Sequence, residues 1–312
     1  MTVSHVKNSS FLLSLSSDAK LVLFGGVLVF TCQTRLMENN FDPKHFETIT
    51  VSFDKNVAWV TLNRPEVLNA FNLQMQEEIR STWRTFRHMD DVHAVVLTGS
   101  GDKSFSVGID RDGDMSALAD NENLYGTSNN YMYDDPGDDL GPKSCDLWKP
   151  VICAVNGMCC GGAFYFLAEC DIIIAADHST FFDPHVTYGM PAVYEPMKMA
   201  QRMPLGEILR MTLMGNHERL SADTAKRIGL VSEVVSMDNL HERATWISTA
   251  IASQPPVAVQ ASLRAIWAAN DLGRLDALSQ APSLLTTGMS KTAMAEGQAL
   301  FESGQRIDHQ IR

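Results

Sequence analysis

From residue 46 onward the apolar positions switch between two periods. ITVSF (49–53) and NVAWVTL (56–62) are rich in β-branched and aromatic residues and meet at the polar pair Asp54 and Lys55, a pattern that predicts a hairpin. After a loop containing Pro65, the residues Ile79, Trp83, Phe86 and Met89 recur at three- and four-residue spacing, which predicts an amphipathic helix. HAVVLTG (93–99) is a short apolar strand ending in glycine. VICAV (151–155) and DIIIAA (171–176) are two more, and CCGGAFYFLAEC (159–170) lies between them at about a helix's length. Alternation of this kind predicts an α/β core.

From about residue 196 the pattern is helical, interrupted by one short strand at GLVSEVV (229–235). The tail from 238 has helix-length segments around Ile247, Val257 to Ala268 and Ala293 to Phe301, broken by Pro255 and Pro256. Between 110 and 147 lies a polar stretch with no sustained period, and a loop of that length is usually functional or disordered. No internal repeat is visible. The expected organisation is an extension over 1–45, a core domain over 46–237 and a helical oligomerisation region over 238–312.

The start of the chain differs in character. LVLFGGVLVFTC (21–32) is a dozen apolar residues, short of the roughly 20 that span a bilayer. Asp18 and Lys20 precede it and no clean small-residue cleavage site follows, so a secretory signal fits poorly. The expectation is a flexible extension; a sharper one is that translation naturally begins at Met37.

Composition narrows the function classes. At 312 residues and 45% apolar the chain can bury a full core, and its net charge of -12 repels phosphate backbones and anionic membrane surfaces. Neither a nucleic acid nor a membrane is expected as a partner. Six cysteines (Cys32, Cys145, Cys153, Cys159, Cys160, Cys170) are too few for a disulfide scaffold of this length and form no C-x-x-C pair, which suits a reducing, cytoplasmic setting. Asp110, Asp112 and Asp114 alternate as in a calcium loop, but the glycine is misplaced and position 121 is asparagine where a bidentate glutamate is required. No metal is expected.

Four stretches together carry a family resemblance: NRPEVLNAFN (63–72), VVLTGSGDKSFSVGID (95–110), KPVICAVNGMCCGGAFYFLAECDIIIA (149–175) and LMGNHERLSADTAKRIGLVSEVV (213–235), with AEGQALFESGQ (295–305) similar to a closing helix. The chain resembles the crotonase (enoyl-CoA hydratase/isomerase) superfamily over roughly residues 46 to 305. The resemblance implies a crotonase-like spiral of ββα units with a helical trimerisation region, assembled as a homotrimer or dimer of trimers. It also implies an acyl-CoA substrate of the kind met in fatty acid metabolism, with coenzyme A entering as part of the substrate and no other cofactor. By motif match, the backbone N–H groups of Ile109 and Gly162 form an oxyanion hole for the thioester oxygen, where two preorganised donors stabilise the charge of an enolate. Gly161 precedes the second donor and lets the main chain approach a ligand without a Cβ. Asn69 and Ala70, together with Arg64, match the loop near the nucleotide part of CoA, while Asp110 and Arg111 follow the first donor. Either arginine is placed to meet a phosphate, surface solvation being the alternative for both. Cys159 and Cys160 read as small buried residues flanking this chemistry.

The pattern departs from the family's hydratases where their two glutamates stand. The first position is Tyr165 and the second, in FFDPH (181–185), is His185. Two glutamates share a water and pass protons, whereas a tyrosine donates a hydrogen bond and is a poor base at neutral pH. An imidazole accepts a proton at working pH, so His185 is the candidate base, with Glu195 or Asp183 as its carboxylate partner and Tyr165 as a donor. The alternatives are a hydrogen-bonded structural histidine, a solvated Glu195 and a tyrosine that walls the pocket. Tyr125, Tyr131 and Tyr133 lie in the irregular segment, either closing over the acyl group or packing beneath a loop.

Three activities follow as expectations. The first is an acyl-CoA lyase or isomerase that stabilises a thioester enolate with non-standard acid-base residues. The second is a retro-Claisen C–C bond hydrolase in which His185 and Glu195 activate water. The third is a catalytically silent CoA-ester binding protein.

Overall fold

The computed structural model describes residues 20–24, 27–31, 41–111, 135–304, 306–307 and 309–312. Tyr125, Tyr131, Tyr133, Asp112 and Asp114 lie outside the described residues, as does Cys32. The chain divides into two compact units, Met1–Phe41 and Asp42–Arg312. In the first, strands β1 (Lys20–Phe24) and β2 (Val27–Thr31) pair antiparallel in register from Lys20↔Thr31 to Phe24↔Val27. A hairpin thus stands where the sequence reading expects a flexible segment. The signal for it was a Gly–Gly pair between two β-branched apolar runs.

The second unit opens with the expected hairpin, β3 (Ile49–Asp54) against β4 (Val57–Leu62). Helix α1 (Leu73–Phe86) follows, capped by the Asn72 side chain on the Met75 N–H and burying Met75, Ile79, Trp83 and Phe86 on one face. The next strands alternate between two sheets. β5 (Ala94–Gly99), β7 (Val151–Val155) and β9 (Ile172–Ala176) are parallel neighbours in a six-stranded sheet of order β12-β9-β7-β5-β4-β3. β6 (Ser104–Ser106), β8 (Met158–Cys160) and β10 (Thr180–Phe182) are parallel neighbours in a four-stranded sheet of order β11-β10-β8-β6. The short strands β11 (Leu220–Ser221) and β12 (Glu233–Val235) complete the two edges. Each turn of the chain therefore lays one strand in each sheet, which is a spiral. The central strands are buried on both faces, as expected of parallel sheets covered by helices.

The helices after α1 are α2 (Gly137–Leu140), α3 (Phe164–Glu169), α4 (Tyr194–Met199), α5 (Leu205–Met214), α6 (Ala222–Arg227), α7 (Met237–Ala252), α8 (Pro256–Asp271), α9 (Arg274–Gly288) and α10 (Lys291–Glu302). The helical region expected from 238 onward begins with a helix, α7, that belongs to the core. Its Leu240 and Ala244 are buried against Val96, Ile152 and Ile174 of the six-stranded sheet. Beyond α7 the helices leave Ile266, Leu275, Leu278 and Leu285 exposed. Among the described residues, no helix is long and apolar enough to cross a membrane.

Candidate active site

Three parallel strands of the smaller sheet end at one level. The register pairs Ser106 of β6 with Cys159 of β8, and Phe182 of β10 with Cys160. The residues that follow each strand are therefore brought side by side: Val107 to Ile109, Gly161 and Gly162, and Asp183 to His185. Ligands of parallel sheets bind beyond the carboxyl ends of their strands, and here a cavity of about 330 Å³ is lined by Ile109, Gly161, Gly162, His185, Arg111 and Arg219 among others.

The two segments expected to supply donor amides, around Ile109 and Gly162, are brought together by local backbone geometry. Ile109 forms an isolated parallel bridge with Phe71, in which the Phe71 N–H donates to the Gly108 carbonyl and the Asp110 N–H donates to the Phe71 carbonyl. This pattern turns the Ile109 amide to the opposite edge. Gly108 has φ +88, and a Cβ there would lie 2.8 Å from the Gly162 nitrogen, so the two segments touch at a point only glycine fits. Gly161 has φ +54, also a left-handed conformation, and the His185 Cε1 atom would be 3.6 Å from a Cβ at that position. Gly161 and the imidazole are thus immediate neighbours.

Phe71, which the sequence pattern does not single out, holds the Ile109 and Gly162 segments together. Its backbone fixes the Ile109 segment, and its ring lies where a Gly162 Cβ would point, 2.7 Å at the nearest atom. Phe166 of α3 meets Phe71 and Phe105 edge to face at 6.3 and 6.2 Å between centroids. This aromatic cluster ties the helix after the glycines to the strand that carries the other donor. The span 159–170 holds β8, a short 3-10 turn and a helix of only six residues in place of one long helix.

The loop residues expected near the nucleotide of CoA turn out to brace this segment. Arg64 donates to the Ala70 carbonyl at 2.7 Å and pairs with Asp110 at 2.7 Å, while Asn69 accepts from the Arg64 N–H and donates to the carbonyls of Ser100 and Ser104. Arg64 and Asp110 therefore balance one another beside the first donor.

His185 has a carboxylate at each ring nitrogen. Nδ1 lies 2.5 Å from Asp183 Oδ1, which also accepts from the His185 N–H at 3.1 Å, and Nε2 lies 3.5 Å from Glu195 Oε1. Asp183 is 1% exposed in its side chain, and its second oxygen has no hydrogen-bond partner among the described residues. The Asp183 bond holds the His185 pKa above its ordinary value, against the opposing effects of burial and the Arg111 charge. With Asp183 accepting from Nδ1–H, the Nε2 atom is left as the basic one.

Tyr165 connects this pair to a residue the sequence reading did not single out. Its hydroxyl donates to Asp135 Oδ2 at 2.9 Å and lies within hydrogen-bonding range of Glu195. Burial, followed by the charges of Glu195 and Asp135, raises the tyrosine pKa far out of the physiological range, so it stays protonated. Burial raises the pKa of Glu195 and of Asp135 as well. A neutral tyrosine has one proton to donate and two carboxyl groups to satisfy, so using both contacts requires a proton on one carboxyl. The signal for Asp135 was the DPG turn at 135–137. Its Gly137 N–H donates to Asp135 Oδ1 at 2.8 Å, and its Gly137 packs against the Tyr165 ring. Helix α4 is fixed in turn by Lys198, which donates to Glu169 at 2.8 Å and to Ser144 Oγ at 3.2 Å.

The cysteines flank this machinery. Cys153 and Cys159 are fully buried and burial raises their thiol pKa values strongly, while burial pushes Cys160 up to about 12. Such thiols are not nucleophiles. Among the described residues no group of three or more His, Cys, Asp or Glu is arranged to hold a metal ion.

Comparison with known proteins bears on this geometry. The sequence profile of the family Enoyl-CoA hydratase/isomerase matches residues 52–307. The (E)-benzylidenesuccinyl-CoA hydratase of Thauera aromatica is 32% identical over 225 residues, 72% of this chain and 84% of that protein. A short-chain-enoyl-CoA hydratase of Clostridium acetobutylicum is 34% identical over 210 residues, 67% and 77% of the two chains. The crystal structure of an enoyl-CoA hydratase/isomerase from Mycobacterium paratuberculosis superposes with a TM-score of 0.74 at 34% identity, covering 86% of this chain and 99% of the other.

Proposed function

The chain belongs to the enoyl-CoA hydratase/isomerase family, and from that premise we propose a hydratase-type acyl-CoA enzyme in which a His185–Glu195 pair replaces the family's two glutamates. The observation that carries this reading is the imidazole itself: Nδ1 is held by Asp183, and Nε2 faces Glu195 beside the cavity that Ile109 and Gly162 line. Relatives named as hydratases of enoyl-CoA esters support an α,β-unsaturated thioester as the substrate class.

The step runs as follows. Water adds its oxygen to the β-carbon and loses a proton to His185 Nε2, while the electron pair of the double bond moves to the thioester oxygen. The Ile109 and Gly162 amides hold that enolate. A protonated Glu195, whose pKa burial raises, delivers a proton to the α-carbon. The proton on His185 then crosses to Glu195 over their 3.5 Å separation, restoring both groups. Tyr165 keeps its own proton on Asp135 and fixes the protonated Glu195 through its hydroxyl oxygen. The test is hydration of a 2-enoyl-CoA beside exchange of the α-protons of a saturated acyl-CoA in deuterated water, followed by NMR: hydration that His185→Gln abolishes and exchange that Glu195→Gln abolishes support the reading, and hydration that survives His185→Gln refutes the assigned base.

The same pair favours a second reading, C–C bond hydrolysis, because a histidine flanked by carboxylates also activates water against a carbonyl carbon. Cleavage of cyclic β-diketones or β-ketoacyl thioesters would place the chain there, and intact substrates across such a panel would exclude it. Assembly as a trimer or dimer of trimers is part of the proposal, supported by the exposed Ile266, Leu275, Leu278 and Leu285; a monomer in sedimentation velocity would contradict it.

A further inference from the structure

Two guanidinium groups enter the acyl cavity with no acidic partner among the described residues. Arg111 and Arg219 both line it, and neither pairs with a carboxylate among the described residues. Among the described residues, Asp110 is paired with Arg64 and Asp183 with His185. In a chain of net charge -12, bulk charge balance would not leave two cations together in one cavity.

Their seating is specific. Arg111 Cζ lies 4.0 Å over the Tyr188 ring and Arg219 Cζ lies 4.3 Å over the Phe182 ring. These two rings stand three residues after and three residues before His185 on the same segment. Stacking on an aromatic face restrains a guanidinium plane while leaving its N–H edge available to a ligand. Among the described residues, Arg219 adds a 3.6 Å contact to the Met158 sulfur, a weak acceptor. Both positive charges act on Cys160, next to Gly161, and that of Arg111 acts on His185 as well. They therefore sit near the reacting end of the cavity.

We infer that Arg111 and Arg219 form an anion subsite within the acyl cavity, taking a carboxylate carried by the acyl group, so that the substrate is a dicarboxylic acyl thioester. The inference rests on the acyl-CoA reading above and deepens it. A phosphate of CoA offers the same chemistry to an arginine, but its place is remote from the thioester, whereas these two groups line the same cavity as the imidazole.

Calorimetric titration with glutaryl-CoA against butyryl-CoA tests it. The expected result is at least about tenfold tighter binding of the dicarboxylyl ester, the scale of one charge-assisted hydrogen-bonded pair. That ratio should collapse toward one in Arg111→Gln and fall in Arg219→Gln, and should invert in Arg111→Glu. Equal affinities in the unmodified protein overturn the inference. So does a loss in the variants that is the same for both esters, which would assign the arginines to CoA phosphate. Binding of neither ester would instead sink the acyl-CoA reading, and the subsite would then be decided by free glutarate against free butyrate, equal affinity overturning it.

Discussion

Replacing Asp183 by asparagine keeps the shape of the side chain and removes the charge that faces His185 Nδ1 at 2.5 Å. A hydrogen bond to a charged partner contributes about 1.5–3 kcal/mol, and at about 1.36 kcal/mol per unit this corresponds to a fall of roughly 1–2 units in the His185 pKa. The sign follows from the role. His185 works as a base in its neutral form, so kcat/KM rises with pH through the His185 pKa, which Asp183 holds above the ordinary value. In Asp183→Asn the rising limb should move to lower pH by roughly 1–2 units. The plateau should drop by roughly tenfold, because a weaker base drives proton transfer less well. The assay is kcat/KM for a 2-enoyl thioester from pH 5 to 9, with thermal unfolding as the control that the variant folds. An unchanged midpoint with a lowered plateau would falsify the claim that Asp183 tunes the base.

Other expectations are sharper in direction than in size. Gly108→Ala strains a residue at φ +88 and sets a methyl 2.8 Å from the Gly162 nitrogen; turnover should fall by about 10²-fold or more, the scale of losing one oxyanion donor, and near-wild-type turnover would contradict the geometry. Tyr165→Phe leaves the buried Asp135 oxygen without its 2.9 Å partner and should cost about 1–3 kcal/mol in urea unfolding, with partial recovery in Tyr165→Phe/Asp135→Leu; no recovery would mean the loss lies in packing. His185 titrates at a raised pKa in the folded state, so the stability it contributes is present in full below the unfolded value of about 6.5 and is lost as pH rises through the folded pKa. The stability of His185→Gln should therefore decline less over that window than that of the parent; parallel curves would count against the shift. Phe71→Ala opens a cavity beneath both donors and should cost about 3–5 kcal/mol, read by thermal unfolding.

Much of this architecture was visible in residue patterns because the elements carrying it are short, apolar and buried. The β3–β4 hairpin, the α1 face and the strands at 94–99, 151–155 and 172–176 follow directly from period and β-branching. The close approach of the segments at Gly108, Gly161 and Gly162 was legible because it leaves no alternative residue. What local pattern could not supply was anything decided by distant segments. The Asp135–Tyr165 bond joins residues 30 apart, and the role of Phe71 depends on a bridge to Ile109. Arg64 appears as a generic cation in sequence, and only the fold brings Asp110 to it. The residue closest to His185 Nδ1 was among the two partners weighed, but spacing alone does not rank Asp183 at two residues against Glu195 at ten. For the N-terminal hairpin, a run of a dozen apolar residues is compatible with a leader as well as with two strands, and the turn signal lies in the Gly–Gly pair alone.

The claim on which all of this turns is that the Ile109 and Gly162 amides grip one thioester oxygen. Difference infrared spectroscopy of butyryl-CoA labelled with carbon-13 at its carbonyl reads that grip without catalysis. On binding, the carbonyl band should move to lower frequency, and the shift should vanish in Gly108→Ala. A bound ester whose carbonyl absorbs at its solution frequency would contradict the account.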